Sequence, residues 1–89
     1  MAKVSFTANI QRHVACPNCE AQGATLREVL EVVFQQIPAA RGYLLDDQGG
    51  LRKHMTIFID GRQVSDRRGL SDAVAEDSSI HVIQALSGG

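Results

Sequence analysis

The chain has 89 residues with nine Lys plus Arg against ten Asp plus Glu, a formal net charge of −1. That near-neutral balance leaves no basic footprint for nucleic acid and no polybasic anchor for a membrane, and the apolar runs are far too short to span a bilayer. At this length one domain is expected, with a core built from Val, Ile, Leu and Ala because there is no Trp, one Tyr and three Phe. The first fifteen residues alternate apolar and polar without the apolar block of a signal peptide, and two cysteines in a C-x2-C spacing make a poor disulfide framework. The expected compartment is therefore the cytoplasm.

In chain order, residues 3–10, "KVSFTANI", place Val4, Phe6, Ala8 and Ile10 on one face, the period of a half-buried strand. After "ACPNC", Cys19 to Gln22 reads as the return strand of a hairpin, broken by Gly23. "TLREVLEVVFQQIP" is the clearest helix. Thr25 and Glu28 form a capping box, Leu26, Val29, Leu30, Val33 and Ile37 make an apolar stripe, and Pro38 stops the helix near Gln36. Residues 41–53 read as a loop punctuated by Gly49 and Gly50, with Tyr43 to Leu45 tucked beneath it. "HMTIFID" is a second strand with Met55, Ile57 and Ile59 on one face; Gly61 turns it into a brief "RQV". "RGLSDAVAEDS" predicts one turn of helix carrying Leu70 and Val74 inward, and "SIHVIQAL" closes the domain with Ile80 and Val82 facing in. A single long helix covers one sheet face and lets the first and last strands run parallel in the middle. The predicted class is α+β, a ubiquitin-like β-grasp: a mixed four- to five-stranded sheet with one main helix on one face. The domain spans residues 1–86, and 87–89 form a flexible Ser-Gly-Gly tail.

The segments "GATLREVL", "GLRKHMTIFIDGRQV", "GLSDAVAEDSSIHVI" and the terminal "ALSGG", in that order over essentially the whole chain, resemble the β-grasp sulfur carriers, the family of ThiS and MoaD and their standalone relative CysO. A terminal glycine pair arises by chance roughly once in 200 chains, given glycine at about 7 per cent of residues. The resemblance implies a function for it. A terminal carboxylate, with a pKa near 3.5, is ionised at neutral pH and a poor electrophile, so it needs activation before it can carry sulfur. In the family an E1-like enzyme of the MoeB or ThiF type supplies this by ATP-dependent adenylation. A persulfide or sulfurtransferase donor then displaces AMP and leaves a thiocarboxylate, here on Gly89, that a sulfur-accepting synthase consumes. Gly88 and Gly89 lack Cβ and can thread a narrow channel. The chain itself would supply no catalytic side chain and bind no cofactor; ATP belongs to the partner enzyme. A monomer is expected, with no nucleic-acid or membrane partner.

The resemblance also implies that the sheet face away from the helix docks on the activating enzyme. Phe58 and Ile83 fall on that face, two apolar residues where polar ones are the pattern, and Leu86 near the tail is a third candidate. Arg67 and Arg68 are candidates for meeting acidic groups on the partner. The competing reading of Phe58 and Ile83 is that the Tyr43 loop folds over them. A ubiquitin-like modifier, with Gly89 joined to target lysines, is the alternative to carriage. A reading of another class rests on His13, Cys16 and Cys19, spaced H-x2-C-x2-C, as a metal- or redox-active set. Three clustered ligands fall short of a structural zinc site, and Cys19 lies six residues before the helix cap that would depress a thiol pKa. No metal site is expected.

Overall fold

The computed structural model describes residues 1–12 and 18–84. Eight elements follow in chain order: β1 (Ala2–Phe6), α1 (Ala8–Gln11), β2 (Cys19–Ala21), α2 (Leu26–Gln36), α3 (Pro38–Leu44), β3 (Met55–Ile59), β4 (Arg62–Gln63) and β5 (Ser79–Gln84). The five strands form one sheet in the order β2-β1-β5-β3-β4. β1 and β5 run parallel in its middle, with Phe6 opposite Val82, and the other neighbours are antiparallel. This is the β-grasp arrangement expected from the sequence.

The strands alternate as half-buried strands do. Ala2, Val4 and Phe6, Met55, Ile57 and Ile59, and Ile80 and Val82 are buried on the face toward the helices. There they pack with Leu26, Val29, Leu30, Val33 and Phe34 of α2 and with Ala40 and Leu44 of α3. The capping box at α2 is present: the Glu28 amide donates to Thr25 Oγ1 at 3.3 Å, and Glu28 Oε1 accepts from the Ala24 amide at 3.0 Å. The α2 stripe differs from expectation at its end, where Phe34 is buried and Ile37 only half so. The β3–β4 connection turns through Asp60 and Gly61 at φ 51 and 84, the paired positive angles of a type I′ hairpin. Asp60 is tolerated there because its carboxylate is occupied, accepting from the Ser79 amide and the Ser78 hydroxyl.

Three sequence readings require correction. The first strand ends at Phe6, and Ala8 to Gln11 turn as a helix. Phe6 and Ile10 are four apart, a spacing that fits both periods, so Ile10 is buried from the helix while Ala8 is exposed. Residues 38–44 are helical rather than the start of a loop. Pro38 ends α2 and, with its fixed φ and missing amide, opens α3, burying Ala40 and Leu44 one turn apart. Finally, residues 70–77 contain no helix. Leu70 and Val74 are buried as expected, but the segment caps α2: the carbonyls of Asp72 and Leu70 accept from the Leu26 and Arg27 amides, both at 2.9 Å. Among the described residues, no helix is long and apolar enough to cross a membrane.

Candidate functional site

Gly88, Gly89 and Leu86 lie outside the described residues, as do His13, Cys16 and the 86/87 boundary between domain and tail. What the structure defines is the platform from which residues 85–89 continue. β5 is the central strand, bonded to β1 on one edge and β3 on the other, and its last described residue, Gln84, lies opposite Met55.

The face away from the helices is set by strand alternation. Thr56 and Phe58 of β3, His81 and Ile83 of β5, Ser5 of β1 and Gln63 of β4 share it, with Phe58 opposite His81 and Thr56 opposite Ile83. Phe58 and Ile83 are therefore diagonal neighbours across two strands, close enough for long side chains to meet. Both are half-buried. The Tyr43 loop does not cover them: Tyr43 belongs to α3, on the opposite face, and its hydroxyl donates to Gln84 Oε1 at 2.6 Å.

Arg67 is half-buried, and Nη2 of its guanidinium donates to the carbonyls of Arg52 at 2.8 Å and Met55 at 2.6 Å. It finishes the outer edge of β3 where β4, only two residues long, no longer pairs. Arg68 is exposed and, with Lys53, Arg67 and Asp46, lines an open depression beside the Gly50 turn. Because Met55 faces Gln84, this basic rim and the exit of β5 occupy the same end of the sheet.

Sequence reasoning missed the contacts of two side chains here. Arg27, in the first turn of α2, donates through Nε to Gly69 O at 2.8 Å and through Nη2 to Gly49 O at 3.0 Å and Arg68 O at 3.1 Å. It thereby ties two loops to the helix. Tyr43 is the second, joining α3 to β5. Neither contact has a periodic signature; the partners lie 22 to 42 residues away in sequence.

The carboxylates build turns. Asp66 accepts from the Ser71 hydroxyl at 2.6 Å and from the Gly69 and Ser71 amides. The Ser71 hydroxyl first, then the Gly69 amide, hold its pKa down at about 2. Asp60 is also lowered, first by the Ser79 amide and then by the Ser78 hydroxyl. Asp72 accepts from the Ser65 and Asp66 amides, and Asp46 from those of Gln48 and Gly50.

Cys19 opens β2 opposite Val4, half-buried, and burial raises its thiol pKa. That is the opposite of the depression that makes a cysteine a ready nucleophile or metal ligand. Among the described residues no group of three or more His, Cys, Asp and Glu is placed to hold a metal ion.

A model of the ThiS family matches residues 8–89. No curated protein matches the sequence. Among solved structures, the chain is similar to one from the Amycolatopsis orientalis BexX/CysO complex, with 21% identity, TM-score 0.84 and all of both chains covered. It is similar to Mycobacterium tuberculosis CysO at 22% identity and TM-score 0.82, covering 97% of this chain and 100% of that one. SAMP1, the small archaeal modifier protein 1 of Methanosarcina acetivorans, matches at 22% identity and TM-score 0.79 over 99% of this chain and 95% of that one. At these identities the likeness concerns the fold.

Proposed function

The chain belongs to the ThiS family, whose members are small carrier proteins rather than catalysts, and we propose that it is a sulfur carrier whose Gly89 carboxylate is the loading point. The observation that carries this reading is the family match itself, which runs through Gly88 and Gly89. The domain's part is to present that carboxylate from its central strand. An E1-like enzyme would bind the tail, and the Gly89 carboxylate would attack the α-phosphorus of ATP, releasing pyrophosphate. Sulfide, or the terminal sulfur of a persulfide freed by a thiol reductant, then forms the C–S bond as the C–O bond to AMP breaks. The thiocarboxylate passes its sulfur to an accepting synthase.

The docking face would be the one carrying Phe58 and Ile83, with Arg67 and Arg68 along the rim nearest the exit; Leu86, the third apolar candidate, lies outside the described residues. Partial burial of the two apolar side chains leaves an apolar strip flanked by His81, Thr56 and Gln63, the mixed character of an interface that must also be soluble alone. Arg68 is free to pair with an acidic group on the enzyme; Arg67 holds β3 and adds its charge.

High-resolution mass spectrometry of the C-terminal peptide tests the reading, using native-source protein with and without the adenylating enzyme and a sulfur donor. Peptide resolution is needed because exchanging oxygen for sulfur nearly matches the mass gained by methionine oxidation. Sulfur on Gly89 is expected. Gly89 found instead on lysines of other proteins, with the free chain never sulfurised, would replace carriage by protein modification.

A further inference from the structure

We infer that Tyr43 is a positioning residue, its hydroxyl clasping Gln84 so as to fix the last described residue of β5 ahead of the C-terminal segment; its kinetic consequence rests on the carrier reading above. The register shows why a clasp is needed. β1 follows β5 only as far as Phe6 opposite Val82, and its last rung is the Thr7 amide donating to Val82 O at 3.2 Å. The chain then turns away into α1. On the other edge, the Met55 amide donates to Arg52 O and the Met55 carbonyl accepts from Arg67. A strand residue points both polar backbone groups to the same side, so Met55 faces away from β5, and the Met55–Gln84 pair is of the non-hydrogen-bonded kind. Among the described residues, Gln84's own amide and carbonyl thus have no ladder partner on either edge.

Its side chain supplies what the backbone lacks. Gln84 lies on the same side of β5 as Ile80 and Val82, facing the helices, where its amide oxygen accepts from the Tyr43 hydroxyl at 2.6 Å. Tyr43 packs half-buried against the core on α3, between the anchors Ala40 and Leu44. An aromatic side chain with two torsions is a stiff strut. Gly89 is the fifth residue after Gln84, a reach of roughly 17 Å when extended. A root fixed at Gln84 therefore determines where the terminus can fall. Releasing it adds one residue whose backbone a partner must order, a cost of about 5-fold in affinity.

The test uses the full chain with Tyr43→Phe, which keeps the ring, Gln84→Leu, which removes the acceptor, and Gln84→Glu, which retains one. Backbone ¹⁵N relaxation at Gln84 and residues 85–89 reads the clasp without any enzyme. ATP–pyrophosphate exchange with the E1-like enzyme reads its consequence. In Tyr43→Phe and Gln84→Leu, the Gln84 order parameter is expected to fall from the rigid value of about 0.85 toward 0.6. KM for the carrier should rise about 5-fold with kcat changed less than about 2-fold, and Gln84→Glu should behave as wild type. An unchanged Gln84 order parameter in Tyr43→Phe would overturn the clasp. So would Gln84→Glu behaving like Gln84→Leu. A wild-type chain that supports no pyrophosphate exchange would sink the carrier reading alone, because the relaxation measurement still decides the role of Tyr43.

Discussion

Leu70 offers a test in which the usual order of two substitutions reverses. The residue is fully buried, yet its backbone sits at φ 56, in the left-handed region. Its carbonyl accepts from the Arg27 amide and its own amide donates to Asp66 O, so the conformation is what lets residues 66–72 fold back onto the start of α2. Removing the side chain costs packing: Leu→Ala at a buried site typically loses about 2–5 kcal/mol, and about 3 is reasonable here. Alanine keeps a Cβ and hence the left-handed penalty, about 1–2 kcal/mol, which glycine does not have. At an ordinary position glycine is less stable than alanine by about 0.5–1 kcal/mol. At Leu70 we expect the reverse, with Leu70→Gly more stable than Leu70→Ala by about 1 kcal/mol, both below wild type. Urea unfolding followed by circular dichroism measures it. With a slope of about 2 kcal/mol per M, the alanine variant should lose about 1.5 M in midpoint, and the glycine variant about 1 M. Should glycine prove the less stable of the two, the loop's strained backbone would have no energetic consequence and the capping argument for residues 66–72 would fail.

Asp66 has its folded pKa at about 2, below the ordinary 3.8; its contribution is complete above about pH 4 and disappears as the pH falls through 2. Asp66→Asn should flatten the acid limb of the stability curve in that window relative to wild type, read as urea midpoints between pH 5 and pH 2. An unchanged acid limb would mean the Ser71 and Gly69 contacts carry no linkage. Arg27→Met keeps the aliphatic stem but loses all three carbonyl contacts, for an expected loss of about 1.5–3 kcal/mol in the same assay; Arg27→Lys should recover only part, since an ammonium lacks the fork that reaches both loops. Changing Cys16 and Cys19 together to Ser should leave thiocarboxylate formation intact, while deleting Gly88 and Gly89 should abolish it with the melting temperature unchanged. A folded but inactive double-serine protein would restore the thiols to the mechanism, and an active truncation would remove the glycines from it.

The parts of this fold that were legible in the sequence are those where burial imposes a period. Val4 and Phe6, Met55 through Ile59, and Ile80 and Val82 alternate because each strand has one wet face, and Leu26 through Val33 repeat at helical spacing because α2 lies on the other. The misread elements are those where local pattern is degenerate or overruled. Phe6 and Ile10 satisfy strand and helix equally. Pro38 marks an end and a beginning at once. Residues 70–77 have helical composition, but the open amides of Leu26 and Arg27 take their carbonyls instead. At the candidate site, the outward positions of Phe58 and Ile83 could be read from alternation alone. The inward commitment of Arg67 could not, because it depends on β4 ending two residues after it starts.

The same geometry bears on why the terminus is hung from β5. A strand at the sheet edge would have one neighbour, and a partner drawing on its end could peel it away. β5 is laddered on both sides through Val82 and Ile83, so tension applied at residue 85 meets bonds to β1 and β3 together before any core residue moves. Gln84's own backbone has no rung among the described residues, which separates two demands that would otherwise conflict. The domain is held by ladder bonds at Ile83, and under the carrier reading the stretch that would enter an enzyme lies C-terminal to it, with the Tyr43–Gln84 bond between them. A single neutral hydrogen bond is worth about 1 kcal/mol net, enough to bias the root and weak enough for a docking enzyme to exchange for contacts of its own. If the chain carries sulfur as proposed, that boundary is where the fold hands over to the chemistry, and Tyr43 stands at it.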